Sequence, residues 1–244
     1  MNLRTLWVLL VAWAATTLFG SLVLVCSLLR VRGNVYGWAT REWARNILWA
    51  SGVEVVLHGT QHLPEGEPQV LVSNHLSIFD ILAQAATLPL PFHFVGKKEL
   101  NRVPFFGRAW RAAGHISLDR SNRADAIRSL RAAGQRIQQT RGKVVIYPEG
   151  TRSRTGKLQP FKKGAFMLAI EAKVPVVPTV VRGSFAILQP DTLRLRPSTI
   201  HLHFLEPIPT AHLDANSADA LMLRVHERIL RELGEAPHSA GSLP

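Results

Sequence analysis

Residues 53–234 read as a single α/β domain, a mixed and largely parallel sheet flanked by helices, preceded by an N-terminal membrane-anchoring helical segment in residues 1–52. Three observations carry this reading. Short runs rich in β-branched residues alternate with helical patterns from residue 53 onward, the arrangement that builds parallel sheets covered by helices. The whole chain has 244 residues, the size of one domain rather than two. And the 25 residues from Thr5 to Leu29 carry no charge, so they stand apart from the domain that follows.

That N-terminal run lies between Arg4 and the pair Arg30 and Arg32. As a helix it reaches roughly 37 Å, more than the roughly 30 Å hydrocarbon core of a bilayer. It is therefore long enough to span, while Gly20-Ser21 at its middle leaves a re-entrant hairpin open. A cleaved signal peptide fits poorly: the run exceeds the usual 7–15 apolar residues, and Leu28-Leu29-Arg30 offers no small-residue cleavage site. Trp7 and Trp13, then Trp38, Trp43 and Trp49, are amphipathic rings suited to the headgroup level. In residues 35–50, Val35, Ala39, Trp43 and Ile47 share one helical stripe and Arg41 and Arg45 another. Taken alone, this pattern serves equally a helix packed on a core or one lying in the interface. Beside an apolar anchor, an interfacial helix with cations turned toward lipid phosphates is the expectation. Four arginines (30, 32, 41 and 45) follow the anchor and Arg4 precedes it, which places the main domain on the cytoplasmic side.

Within the domain, strand patterns fall at Val53–His58, Gln69–Ser73, His93–Gly96, His115–Leu118, Lys143–Tyr147, Val174–Val181 and Thr199–Leu205. Helical patterns fall at Phe79–Ala86, Phe105–Ala113, Ala124–Gln139, Gly164–Ala172 and Ala218–Leu233. In the third of these, Ile127, Leu130, Gly134 and Ile137 mark a narrow buried face. Residues 235–244, rich in Pro, Gly and Ser, read as a disordered tail.

Composition narrows the function. There are 29 Lys+Arg against 17 Asp+Glu, a net +12, yet 47% of residues are hydrophobic, too many for a disordered basic polypeptide. Residues 97–163 alone hold 17 Lys/Arg and four acids, a local +13, so the rest is near neutral at −1. A patch this concentrated points to an anionic partner. The single cysteine, Cys26, excludes an intramolecular disulfide framework and any cysteine-rich metal site.

Two segments carry chemistry, and each begins where an apolar strand ends. In the first, Val70-Leu71-Val72 runs into Ser73-Asn74-His75, with Asp80 five residues beyond the histidine. On one continuous helix that spacing would point the two side chains apart. They meet if His75 lies in the loop and Asp80 in the first helical turn, where the carboxylate fixes one imidazole tautomer and leaves the other nitrogen to take a proton. The plainer reading is a capping histidine and a helix-dipole aspartate. In the second segment, Val144-Val145-Ile146 leads to Tyr147-Pro148-Glu149-Gly150-Thr151-Arg152-Ser153, which offers backbone N–H groups, hydroxyls and a guanidinium fork to an anion. A nucleotide-binding P-loop fails on spacing, because Gly150 and Gly156 enclose five residues and Leu158 follows Lys157. Ser184 lacks a nucleophile elbow. His201-x-His203 places two rings on one strand face with no nearby carboxylate pair or cysteine to complete a metal set, and reads as structural. The basic stretch lacks the interleaved aromatics of nucleic-acid binders, so no nucleic-acid partner is expected.

In order along the chain, Asn74-His75-x4-Asp80, Gly114-His115-Ile116-Ser117-Leu118-Asp119-Arg120, Tyr147–Ser153 and Val174-Pro175-Val176-Val177-Pro178 resemble the four motifs of the 1-acylglycerol-3-phosphate acyltransferases, within the lysophospholipid acyltransferase superfamily. The spacers Gly96-Lys97-Lys98-Glu99-Leu100, Pro104-Phe105-Phe106-Gly107 and Pro160–Ala165 are similar too. The likeness covers about residues 54–210; His115 and Ser117 stand where apolar residues are common.

The resemblance implies a glycerolipid-acyltransferase-like domain that moves a fatty acyl group from acyl-CoA or acyl carrier protein to the sn-2 hydroxyl of lysophosphatidate, giving phosphatidic acid. His75 would be the general base and Asp80 its orienting partner. Glu149, Gly150, Thr151 and Arg152 would hold the glycerol phosphate, assisted by Lys97 and Arg120. No metal or other cofactor is implied, and the enzyme would sit on anionic phospholipid at the inner, cytoplasmic membrane. Two alternatives are transfer to another lysolipid, such as a lyso-ornithine lipid, and a non-catalytic protein that binds anionic lipid.

Overall fold

A computed structural model describes residues 3–119, 123–189, 192 and 194–235. Seven strands form one sheet: β1 (Glu54–His58), β2 (Gln69–Ser73), β3 (Phe92–Lys97), β4 (Ile116–Leu118), β5 (Lys143–Ile146), β6 (Val176–Arg182) and β7 (Thr199–Phe204). Their order across the sheet is β1-β7-β6-β2-β5-β3-β4. The β6–β7 pair is antiparallel and every other pair is parallel, so the sheet is of the mixed, mainly parallel kind expected.

β2 is central and shielded from water: its apolar Val70-Leu71-Val72 and its polar ends, Gln69 and Ser73, are all buried. A strand apolar on both faces needs cover on both. Leu71 joins the core on one side, with α2 (Val35–Ser51) and α3 (Ile78–Thr87); Val70 and Val72 join the other, with α5 (Arg123–Thr140), α6 (Gly164–Ala172) and α8 (Ala218–Leu233). Because β2 lies between β5 and β6, the loops that leave the carboxyl ends of β2 and β5 emerge side by side. This is where ligands collect in open α/β sheets.

Of the two geometries open for the N-terminal segment, the structure has the continuous helix. α1 runs unbroken from Leu3 to Leu28, so Gly20-Ser21 is not the turn of a hairpin. Gly20 serves close packing instead: a Cβ there would lie 2.5 Å from the Phe105 ring. Thr5, Val8, Ala15, Val23 and Cys26 are buried along the helix, and the Trp43 indole of α2 donates to Thr16 Oγ1 at 3.0 Å. The outward side remains apolar, with Trp13 69% and Leu28 82% exposed. α1 is long and apolar enough to cross a membrane, and it docks against the domain while keeping a greasy outer face.

The arginines of α2 are placed differently from expectation. Arg41 donates to the Leu88 carbonyl at 2.6 Å, and Arg45 to the Ala86 carbonyl at 3.3 Å while pairing with Glu42. They complement the negative carboxyl end of α3 rather than reaching for lipid phosphates, supplying donors to carbonyls that a helix end leaves without partners. In α5, Ala133 and Ile137 are fully buried, whereas Ile127 is 42% exposed, so the inward stripe begins one turn later than the periodicity suggested. The expected tail, from residue 236 on, lies outside the described residues.

Candidate active site

His75 and Asp80 meet because the chain between them changes conformation. Residues 74–77 are loop, Ser77 is the extended N-cap of α3, and Asp80 is its third residue. The Ser77 hydroxyl accepts from Phe79 N–H, and Asp80 closes the capping box by accepting from Ser77 N–H at 2.8 Å. The same oxygen, Oδ2, accepts from Leu76 N–H at 2.6 Å and lies 2.8 Å from His75 Nδ1. Asp80 has no exposed surface. Its carboxylate is thus held at a helix N-terminus by backbone donors and orients the imidazole, leaving Nε2 for chemistry.

The loop after β5 grips His75 from the other side. Glu149 Oε1 accepts from the His75 N–H at 2.7 Å, and the Ser153 N–H donates to the His75 carbonyl at 2.8 Å. The Tyr147 ring stacks on the imidazole, with centroids 4.0 Å apart and planes 20° from parallel. Gln84 of α3 donates to both Ser73 Oγ and Tyr147 Oη. Burial, with the nearby Asp80 charge, pushes the Tyr147 phenol well above its ordinary range, so it stays neutral. Asn74 ties the same loop to β6, donating to the Val181 carbonyl at 3.0 Å and accepting from the Val181 N–H at 2.7 Å.

Glu149 is accordingly not at the substrate face. It is buried, and its second oxygen accepts from Gln159 Nε2 at 2.9 Å. Burial pushes its carboxyl up to about 7, against the opposing pull of the His75 and Gln159 hydrogen bonds. Expected among the groups that hold substrate, it instead fastens the loop after β5 to the loop after β2.

Beside His75 opens a cavity of about 310 Å³. His75, Lys97, Gly150, Thr151 and Arg152 are in its wall, together with a larger apolar share that includes Phe19, Gly20 and Val23 from α1 and Phe94, Phe106 and Trp110 from the domain. Gly150, at φ +79°, lets the Lys162 ammonium lie against the loop, 3.0 Å from where a Cβ would sit. Lys162 is a cation next to the site that spacing alone did not single out; nor did spacing give the positioning roles of Tyr147, Gln84 and Gln159. Arg120 lies outside the described residues; its neighbour Asp119 pairs with Lys98.

His115, which stands where an apolar residue is common, behaves as one. Its Nδ1 accepts from Phe94 N–H at 3.2 Å and its ring lies 4.4 Å from that of Trp110. Burial, then His93 and Arg136, hold it down at about 3, a neutral ring in the cavity wall. Ser117 accepts from the Trp110 indole and donates to Asn101.

Comparison with known proteins is consistent with this arrangement. A family model described as acyltransferase matches residues 54–182. The chain is 33% identical over 233 residues to the 1-acyl-sn-glycerol-3-phosphate acyltransferase of Limnanthes douglasii, covering 95% of this chain and 80% of that one. It is 30% identical over 241 residues to the enzyme of the same name from Saccharomyces cerevisiae, covering 96% and 79%. Among solved structures, the 1-acyl-sn-glycerophosphate acyltransferase PlsC of Thermotoga maritima is similar at a TM-score of 0.80 and 25% identity, over 97% of each chain.

Proposed function

Because the chain belongs to the 1-acyl-sn-glycerol-3-phosphate acyltransferase family, we propose that it acylates the sn-2 hydroxyl of lysophosphatidate from an acyl-CoA or acyl carrier protein thioester, yielding phosphatidic acid for phospholipid biosynthesis. The observation that carries the reading is one cavity lined both by a carboxylate-oriented histidine and two cations, Lys97 and Arg152, and by apolar side chains from α1 and the domain. A lysophospholipid has both characters: a phosphate and a free hydroxyl near one end, hydrocarbon at the other.

In the reaction, His75 Nε2 takes the proton of the acceptor hydroxyl as its oxygen attacks the thioester carbonyl. Asp80 stabilises the imidazolium that forms, against which it is already hydrogen-bonded. The carbon–sulfur bond then breaks, and the departing thiolate takes the proton back from His75. Ester and thiol are the products. The thioester is itself the activated donor, so the reading asks for no further cofactor. Arg152 and Lys97, with the Gly150-Thr151 backbone and hydroxyl, hold the phosphate; Arg120 follows the same motif and is assigned the same task by resemblance.

The membrane supplies and receives the lipids. The exposed apolar face of α1 and the outward Trp13 and Trp49 favour residues 1–52 as the anchor and residues 53–234 as the catalytic domain. The arginines that follow α1 favour the cytoplasmic side. The test is an acceptor panel with detergent-purified protein: lysophosphatidate, other lysophospholipids, a lyso-ornithine lipid and monoacylglycerol, each with acyl-CoA and acyl carrier protein. Transfer to lysophosphatidate above the rest is expected; a different preferred acceptor replaces the reading.

A further inference from the structure

At the opposite edge of the sheet from β4, three histidines converge that the reaction does not use. β1 and β7 pair in parallel with His58 opposite His203 and Val56 opposite His201. The two-residue period of strands puts His201 and His203 on one face, and the register brings His58 to the same face. One ring nitrogen from each of the three lies within 4.8 Å of the others. We propose that His58, His201 and His203 form a binding site for one divalent transition-metal ion of the zinc type.

The spacing suits such an ion. His58 Nε2 and His201 Nδ1 are 3.2 Å apart. Two nitrogens bound at about 2.05 Å to a tetrahedral zinc are separated by about 3.3 Å. The His203 ring stacks on His58 with centroids 4.2 Å apart, so ion entry turns it about χ2, a soft torsion for an imidazole. Glu232 of α8 lies 3.0 Å from His203 Nδ1. A carboxylate on one ring nitrogen is the usual outer partner of a metal-bound histidine and leaves Nε2 for the ion. Arg182, in register opposite His201, lies 3.9 Å from Glu232, so that carboxylate also offsets this cation facing the cluster. An all-imidazole set selects zinc, nickel or copper over magnesium or calcium. His58 is exposed and the other two are half-buried, which leaves the ion a route in and room for water as a further ligand.

The placement gives the ion a mechanical role. β1 is an edge strand joined to the sheet through β7 alone. An ion held from both strands clamps it there, just after the anchor helices. Sequence spacing showed only the His201-x-His203 half of the site, because His58 precedes it by 143 residues.

The experiment uses the full-length chain, untagged, in detergent, with zinc chloride as probe. Expected are one saturable equivalent per chain by equilibrium dialysis, a zinc-dependent rise in Tm, and added hydrogen-exchange protection at Glu54–His58. Calcium should produce none of these. His58→Ala and His201→Ala should each abolish the equivalent, and Glu232→Gln should weaken it roughly 10–100-fold. Absence of saturable binding to the unaltered protein overturns the proposal without recourse to any variant. So does an undiminished equivalent in the folded His58→Ala or His201→Ala protein, which would place the ion elsewhere.

Discussion

The loop leaving the carboxyl end of central β2 and the face of the β1–β7 edge pair both present histidine, and they make different things of it. At the centre, His75 has a fully buried carboxylate behind it, an aromatic ring on its face and both of its backbone groups held by the neighbouring loop. The carboxylate fixes the tautomer, the other contacts hold the ring and its backbone in place, and the ring lines a cavity. At the edge, the rings of His58, His201 and His203 restrain mainly each other, near the surface, with Glu232 at the margin. One ring nitrogen from each lies within 4.8 Å of the others. Imidazole is the same group in both places; what stands behind it decides between a proton acceptor and a metal ligand.

The sharpest way to break this comparison is His75→Ala. Turnover with lysophosphatidate and a thioester donor should fall roughly 10²–10⁴-fold, the scale of general-base catalysis. The zinc isotherm of the same protein should be unchanged, since the two sites lie on either side of β6. Undiminished turnover would remove His75 from the reaction.

A smaller effect tests the support behind His75. Glu149 has a folded-state pKa of about 7, above its ordinary 4.5, so the folded protein retains a proton over a range in which the unfolded chain has lost it. Its contribution to stability is therefore present below about pH 4.5 and is lost as pH rises through about 7, a slope that totals at most about 3 kcal/mol. Glu149→Gln should flatten that slope. Denaturant midpoints at pH 5 and pH 7.5, compared between the two proteins, measure it; parallel pH profiles would show that the carboxyl does not titrate there.

Legibility in the sequence followed distance along the chain. All seven strands were readable from local pattern, since each is a short apolar run between turns. The His75–Asp80 contact was readable as well: it is five residues long, and helix geometry alone says which conformation permits it. Contacts set by strand order were not. Glu149 reaches the His75 amide across 74 residues, and nothing local distinguishes a loop-fastening carboxylate from one that meets substrate. The partners of Arg41 and Arg45 depend on where α3 ends in space, 41 to 47 residues away. His58 needed the β1–β7 pairing, which a crossover of this length leaves open until the sheet is assembled. Tyr147 was quoted within a motif, but its stacking on His75 follows only from β2 and β5 being neighbours.

The smallest effect belongs to the most exposed group. Arg152 lines the cavity from the surface side of its loop, where water and salt compete for its guanidinium, whereas Asp80 is sealed from both. A charge-assisted hydrogen bond in such a place is worth less than one in the interior. Arg152→Ala should thus raise KM for lysophosphatidate roughly tenfold with little change in kcat, and the difference between the two proteins should shrink as ionic strength rises. Monoacylglycerol, which lacks the phosphate, should respond equally poorly to both. A fall in kcat that is independent of salt and of the phosphate would instead place Arg152 with the groups that orient His75, making the cavity's cationic rim part of the catalytic support.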